Sequence, residues 1–190
     1  MNVENTILDG VKVLVPRIFG DNRGYFFEAW NRDIFAQAGI ICDFMQDNES
    51  KSGFGVARGL HYQAAPYTQA KLVRVIAGAV LDVVVDIRRG SPTFGRHMTV
   101  ELSDENKKQL FVPRGFAHGF MVLSETAIFA YKCDNKYMPS HERGIDLLAP
   151  ELGINWPLPP EKIILSDKDR HNPGWGEAEM FDFNTKEYLV

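Results

Sequence analysis

Apolar and polar residues alternate in short runs along most of the chain, and turn-forming residues separate the runs. VKVLV (Val11 to Val15) reads as a strand closed by Pro16. KLVRVI and VLDVVVDI are rich in Val and Ile and suit strands. Ala77-Gly78-Ala79 joins them, so a hairpin or a corner is expected around Gly78. Gly90-Ser91-Pro92 is a turn, and RHMTVEL, KQLFVP and HGFMVLSETAIFAYK supply more strands at the spacing of an all-β sandwich or barrel. RDIFAQAGI (Arg32 to Ile40) is the one fair helix candidate before the tail, with Gly39 ending it. DFMQDNES is mixed and reads as a strand edge. From Pro139 to Pro173 the chain turns rich in Pro, Asp and Gly, and WPLPP cannot be a regular central strand. The pattern predicts an antiparallel β-barrel of jelly-roll type with an N-terminal arm. One domain is expected over residues 1–190, with a core at about 11–138 and a C-terminal wrap of loops and short helices at about 139–190.

Composition narrows the function classes. The chain has 190 residues and a formal net charge of -4, which weighs against a nucleic acid polymer as partner. No apolar run approaches the roughly 18 residues of a membrane span. MNVENTILDG lacks a basic segment followed by an apolar one, so no signal peptide is expected and a cytoplasmic location is. Cys42 and Cys133 make no disulfide framework, and neither is assigned a role.

Candidate chemistry begins at ARGLHYQ (Ala57 to Gln63). In an extended strand His61 shares a face with Gly59 and Gln63, while Arg58 falls on the face of Leu60. A bulge or turn at Gly59 would be needed to aim Arg58 and His61 at one ligand. A core histidine bonded to a carbonyl is the plain alternative to a general base. FVPRGFAHGF places Pro113, Gly115 and His118 as P-x-G-x-x-H, which resembles the second motif of the cupin superfamily. The first cupin motif carries H-x-H, and here the matching stretch is His61-Tyr62-Gln63. Two histidines make a poor metal site. Asp82 and Asp86 could add a carboxylate, but neither sits at a cupin ligand spacing. A metal-free barrel is expected.

RGLHYQ, the Lys71 strand, VPRGFAHGF and LSDKD together resemble the dTDP-4-dehydrorhamnose 3,5-epimerase family. GDNRGYFFE, YKCDNKY and HERGI fit the same family, and the resemblance runs from about Phe19 to Pro173. It implies a cupin jelly roll, no cofactor, and a dTDP-4-keto-6-deoxy sugar as substrate. It also implies a homodimer that exchanges N-terminal arms. By resemblance His61 is the base, Asp169 its carboxylate partner, Lys71 the cation at O4 and Tyr131 the acid. Asp167 is the rival to Asp169. Tyr137 would stack on thymine, while Arg58 and His118 bind sugar or diphosphate. Arg23, Glu28, Gln46, Asn48, Glu142 and Lys168 would supply the remaining nucleotide contacts. Phe19 or Phe27 would reach the neighbouring subunit's site.

The residue types suit that chemistry. A C4 ketone acidifies the protons on C3 and C5, and inversion needs a base, a group that stabilises the enolate, and an acid on the opposite face. Histidine is available in neutral form near pH 7. Lys71 otherwise shares its strand face with Val73 and Val75. Without the family, Lys71 could be a solvated strand end and Tyr131 ordinary core packing. Other functions that fit the same residues are a single-centre C3 epimerase, a 3,4-ketoisomerase, a metal-binding cupin module and a non-catalytic sugar-nucleotide binder.

Overall fold

The computed structural model describes residues 1–189. Its strands, in chain order, begin with β1 (Asn2–Asn5), β2 (Lys12–Val15), β3 (Phe19–Asp21) and β4 (Gly24–Phe26). The short helix α1 (Arg32–Gln37) precedes β5 (Gln46–Gly53), β6 (Ala57–Gln63), β7 (Lys71–Ala77) and β8 (Ala79–Asp86). Then come β9 (Arg88–Arg89), β10 (His97–Ser103), β11 (Gln109–Val112), β12 (Phe116–Val122) and β13 (Thr126–Cys133). The C-terminal part adds β14 (Glu142–Gly144), α2 (Asp167–Arg170) and β15 (Phe181–Asp182), with short 3-10 turns between. One sheet runs β1-β2-β11-β7-β13-β5 and the other β10-β8-β12-β6-β14, and every pairing within them is antiparallel. This is the expected jelly-roll barrel.

Three apolar clusters hold the layers together. Between the sheets, Val73, Val75, Leu110, Val112 and Phe129 meet Val80, Val84, Leu102, Phe116 and Phe120. Behind the five-stranded sheet, Leu60, Tyr62, Val83, Val85 and Met121 pack under Ile145, Leu147, Leu152 and Ile163 of the wrap. On the outside of the six-stranded sheet, Phe35 of α1 packs with Leu14, Leu72 and Phe111. The second cluster explains why β8 reads as a nearly continuous valine run. Both of its faces are covered, so the usual alternation of a half-exposed antiparallel strand is lost.

Other local expectations resolve simply. Gly78 forms a corner, because β7 and β8 belong to different sheets. Its φ is +78°, and a Cβ there would lie 2.1 Å from the Thr126 carbonyl oxygen. The Asn31 side chain caps α1 by accepting from Asp33 N and Ile34 N. DFMQDNES becomes the edge strand β5. Three sheet strands fall outside the 11–138 stretch: β1 joins before it, and β14 and β15 after it.

The segment after Gly174, which carries no sequence motif, is held by a buried ion pair. Asp86 accepts from the Arg88 N–H and guanidinium at 2.8–2.9 Å, and from Ser91 and Thr93 hydroxyls at 2.7 and 2.6 Å. The guanidinium lies 4.2 Å from the Phe116 ring centre and also over Phe183 and Tyr188 of the tail. Burial pushes the Asp86 carboxyl upward, but Arg88 and the hydroxyls outweigh it and hold it below the ordinary range. Asp86→Asn strands the buried Arg88 charge and is expected to cost about 3–5 kcal/mol, seen as a loss of about 2–4 °C in Tm per kcal/mol. A folded pKa below the unfolded value of about 3.9 means that the stabilisation is complete above that value and fades as pH falls through the folded pKa. Denaturation at falling pH should therefore show the wild type converging on the variant; parallel stability curves would contradict the assignment.

Candidate active site

A cavity of about 480 Å³ opens between the two sheets. The five-stranded sheet contributes Arg58, His61 and Gln63 from β6, His118 from β12 and Glu142 from β14. The six-stranded sheet contributes Gln46 and Asn48 from β5, Lys71 from β7 and Tyr131 and Cys133 from β13. Tyr137, Lys168 and Asp169 close the rim. The histidines and the Lys71/Tyr131 pair thus stand on opposite walls.

A bulge in β6 puts Arg58 and His61 on the same wall. His61 pairs with His118 and Arg58 with Phe120, so three steps along β6 match two along β12. Gly59 takes up the extra residue at φ +130°, where a Cβ would sit 2.6 Å from Gly119 Cα and 2.9 Å from the His118 carbonyl oxygen. Only glycine fits this approach. Arg58 Nε then donates to Ser52 Oγ at 3.1 Å, across to the β5 edge.

Both histidines of the five-stranded sheet that face the cavity pair with a carboxylate. His61 Nε2 lies 2.5 Å from Asp169 Oδ1, with the Asp169 side chain 4% exposed and that of His61 28%. Ser166 caps α2 by accepting from Asp169 N at 3.1 Å, which aims the carboxylate at the imidazole. Burial raises the Asp169 carboxyl, but the His61 contact and the Lys168 charge outweigh it, so it stays ionised. His118 Nε2 lies 2.9 and 3.0 Å from the two oxygens of the fully buried Asp82. Burial pushes the Asp82 carboxyl up, and His118 and Lys71 pull it back only in part.

Facing them, burial pulls the Lys71 ammonium below its ordinary value, against the pull of Glu142 and Asp82. A depressed ammonium is a stronger hydrogen-bond donor to a developing oxyanion. Burial pushes the Tyr131 phenol up, which keeps its proton in place at neutral pH. At the rim the Tyr137 hydroxyl donates to Glu142 Oε2 at 2.5 Å, and Lys168 Nζ meets Glu142 Oε1 at 2.5 Å. Gln46 Oε1 accepts from Tyr137 N at 3.3 Å, and Gln46 Nε2 donates to Asn48.

Most of the expected residues converge. His61, Lys71, Tyr131, Asp169, Arg58, His118, Gln46, Asn48, Tyr137, Glu142 and Lys168 all line the one cavity. Arg23, Glu28, Phe19 and Phe27 do not. Arg23 is paired with Asp21 in the β3–β4 hairpin, Glu28 accepts from Asn31, and Phe19 is 50% exposed under Arg17. The arm carries these residues away from the cavity of its own chain. Asp86 belongs to the tail clasp rather than the cavity. Asp167 is exposed and makes no contact with His61, in contrast to Asp169. Sequence reasoning missed Asp82 as the His118 partner, although an acid in the middle of a valine strand was the available signal. It also missed Gln63, whose amide donates to the Tyr67 and Lys136 carbonyls and accepts from Met138 N. Among the described residues, no three His, Cys, Asp or Glu side chains group at metal-holding distance.

A cupin-type jelly roll whose cavity sets two histidine–carboxylate pairs against a phenol and an ammonium belongs to a class of protein equipped for proton transfer. Residues 5–177 match the family described as dTDP-4-dehydrorhamnose 3,5-epimerase. The curated dTDP-4-dehydrorhamnose 3,5-epimerase of Shigella flexneri is 50% identical over 182 residues, 95% of this chain and 99% of that one. A crystal structure of the epimerase from Legionella pneumophila, in complex with dTDP-4-keto-L-rhamnose, superposes with a TM-score of 0.92 at 48% identity, covering 96% of this chain and 98% of that chain. A 3'-monoepimerase from Streptomyces bikiniensis, solved with dTDP-quinovose, gives a TM-score of 0.89 at 34% identity over 97% and 98%. The chain belongs to the dTDP-4-dehydrorhamnose 3,5-epimerase family and is an isomerase.

Gly59→Ala tests the bulge. The new Cβ must displace the Gly119 backbone and occupy a strained φ, so the variant should lose about 1–3 kcal/mol of stability. Turnover should fall more than urea stability implies, because Arg58 and His61 no longer share a wall. Full turnover in the folded variant would show that the shared wall is not required.

Proposed function

We propose that this chain inverts C3 and C5 of dTDP-4-dehydro-6-deoxy-D-glucose, giving dTDP-4-dehydro-L-rhamnose, without metal or redox cofactor. The observation that carries the proposal is the 2.5 Å His61–Asp169 pair on one wall of a cavity whose other wall bears Tyr131 and Lys71. His61 takes the proton from the carbon next to the ketone, and Asp169 stabilises the imidazolium that forms. The electrons move into the ketone oxygen, where Lys71 donates a hydrogen bond. Tyr131 returns a proton from the opposite face. Solvent then removes the proton from His61 and restores the one on Tyr131, so no net proton is consumed.

Arg58, His118 and Lys168 suit the diphosphate and sugar, and the exposed Tyr137 ring suits thymine. The arm supports a homodimer as the working form. Phe19, Tyr25 and Phe26 are 50, 59 and 69% exposed, an apolar surface that a second copy would cover while bringing Arg23, Glu28, Phe19 and Phe27 to its cavity. The proposed location is the cytoplasm, in keeping with two free cysteines and with no described helix long and apolar enough to cross a membrane. A second reading, inversion at C3 alone, draws support from the likeness to the 3'-monoepimerase.

Proton NMR in D2O with dTDP-4-keto-6-deoxyglucose separates the two. Deuterium should enter both C3 and C5; entry at C3 alone would move the function to the single-centre reaction, and no entry would refute both. His61→Ala should abolish exchange at both carbons while dTDP still binds, and near wild-type turnover in that variant would remove His61 as the base. Tyr131→Phe should slow reprotonation more than proton removal. Equal loss of exchange at both centres would mean that Tyr131 shapes the cavity instead.

A further inference from the structure

The rim of the cavity holds a three-residue bridge whose ends belong to different parts of the site. Tyr137 lies in the loop after β13, Glu142 opens β14, and Lys168 sits in α2. The two Glu142 oxygens are divided between them, one to the Tyr137 hydroxyl and one to the Lys168 ammonium, each at 2.5 Å. Lys168 is the immediate neighbour of Asp169, which holds His61. β14 pairs directly with the histidine strand, with Gly144 opposite His61 and Glu142 opposite Gln63. Gln63 in turn fastens the Tyr137 loop through Lys136 O and Met138 N. The Tyr137 ring is 49% exposed although its hydroxyl is fixed, so it offers a rigid face at the cavity mouth.

We infer that Glu142 is a positioning residue that couples a ring stacked on Tyr137 to the alignment of the Asp169–His61 pair. The inference rests on the proposed nucleotide-sugar substrate. A planar base settling on Tyr137 loads the hydroxyl–carboxylate contact, and Glu142 passes the constraint through Lys168 to the one short helix that carries Asp169. Binding energy from the non-reacting end of the ligand is thereby spent on orienting the base, which raises kcat rather than only lowering KM. The electrostatics support the connection. Burial raises the Glu142 carboxyl, yet the Lys168 and Tyr137 contacts and the nearby His61 hold it below the usual range. The contact to Glu142 pushes the Tyr137 phenol up to about 12, so it remains the donor throughout the neutral range.

Tyr137→Phe keeps the ring and removes only the hydroxyl at an exposed position, so the variant should fold normally. It is expected to lose about 10- to 100-fold in kcat with little change in KM. Glu142→Ala should do the same, and the double variant should be no worse than either single one. A Tyr137→Phe effect confined to KM, or additive losses, would overturn the inference. A readout independent of turnover is the His61 ring signal in NMR as dTDP is added. It should shift in the wild type and shift less in Glu142→Ala even though dTDP binds. A shift of the same size in Glu142→Ala would also overturn the coupling. Wild-type coupling without deuterium exchange in the sugar would count against the reaction alone. A wild type that fails to bind dTDP would overturn both.

Discussion

The hydrogen bond between His61 and Asp169 joins residues 108 positions apart, and most of the architecture is needed to make it. His61 is delivered by β6, held between β12 and β14 in the five-stranded sheet. Asp169 arrives on a four-residue helix that would have no stability alone. The wrap reaches that place because it covers an apolar sheet face with Ile145, Leu147, Leu152 and Ile163. Burial of that face is therefore both the main stabilisation of the C-terminal part and the device that completes the histidine–carboxylate pair. A parallel bridge from Val56 to Ile164 ties the wrap down just before the helix begins.

The gap between two packed sheets supplies the second requirement, access to both faces of a ring. Inward-facing positions of one sheet carry histidines, and those of the other carry Lys71 and Tyr131. The proposed reaction, which removes a proton from one side and returns it on the other, needs this opposition. The price is a set of charges in a poorly hydrated place. Asp82 shows how it is managed: its carboxylate accepts from His118 with both oxygens, and its charge also supports Lys71. No buried side-chain polar atom among the described residues lacks a partner, so the network is complete before any ligand binds.

The sequence pattern by itself carried the strand-by-strand layout, because alternating apolar positions and punctuating Gly and Pro are local signals. It also carried the ordered motifs from GDNRGYFFE to LSDKD, and with them the family and eleven side chains of the cavity lining. The arm residues Arg23, Glu28, Phe19 and Phe27 lie off the cavity of their own chain, because an exposed hairpin has no core of its own to hold it there. What only the tertiary structure decided are relations between distant segments: the β6 bulge that turns Arg58 to the side of His61, the burial of β8 on both faces, the Asp82–His118 pair and the Glu142 bridge. Each depends on a close approach of backbones or on a charge meeting a partner across the barrel. Such contacts come from packing, and local periodicity along the chain carries no record of them.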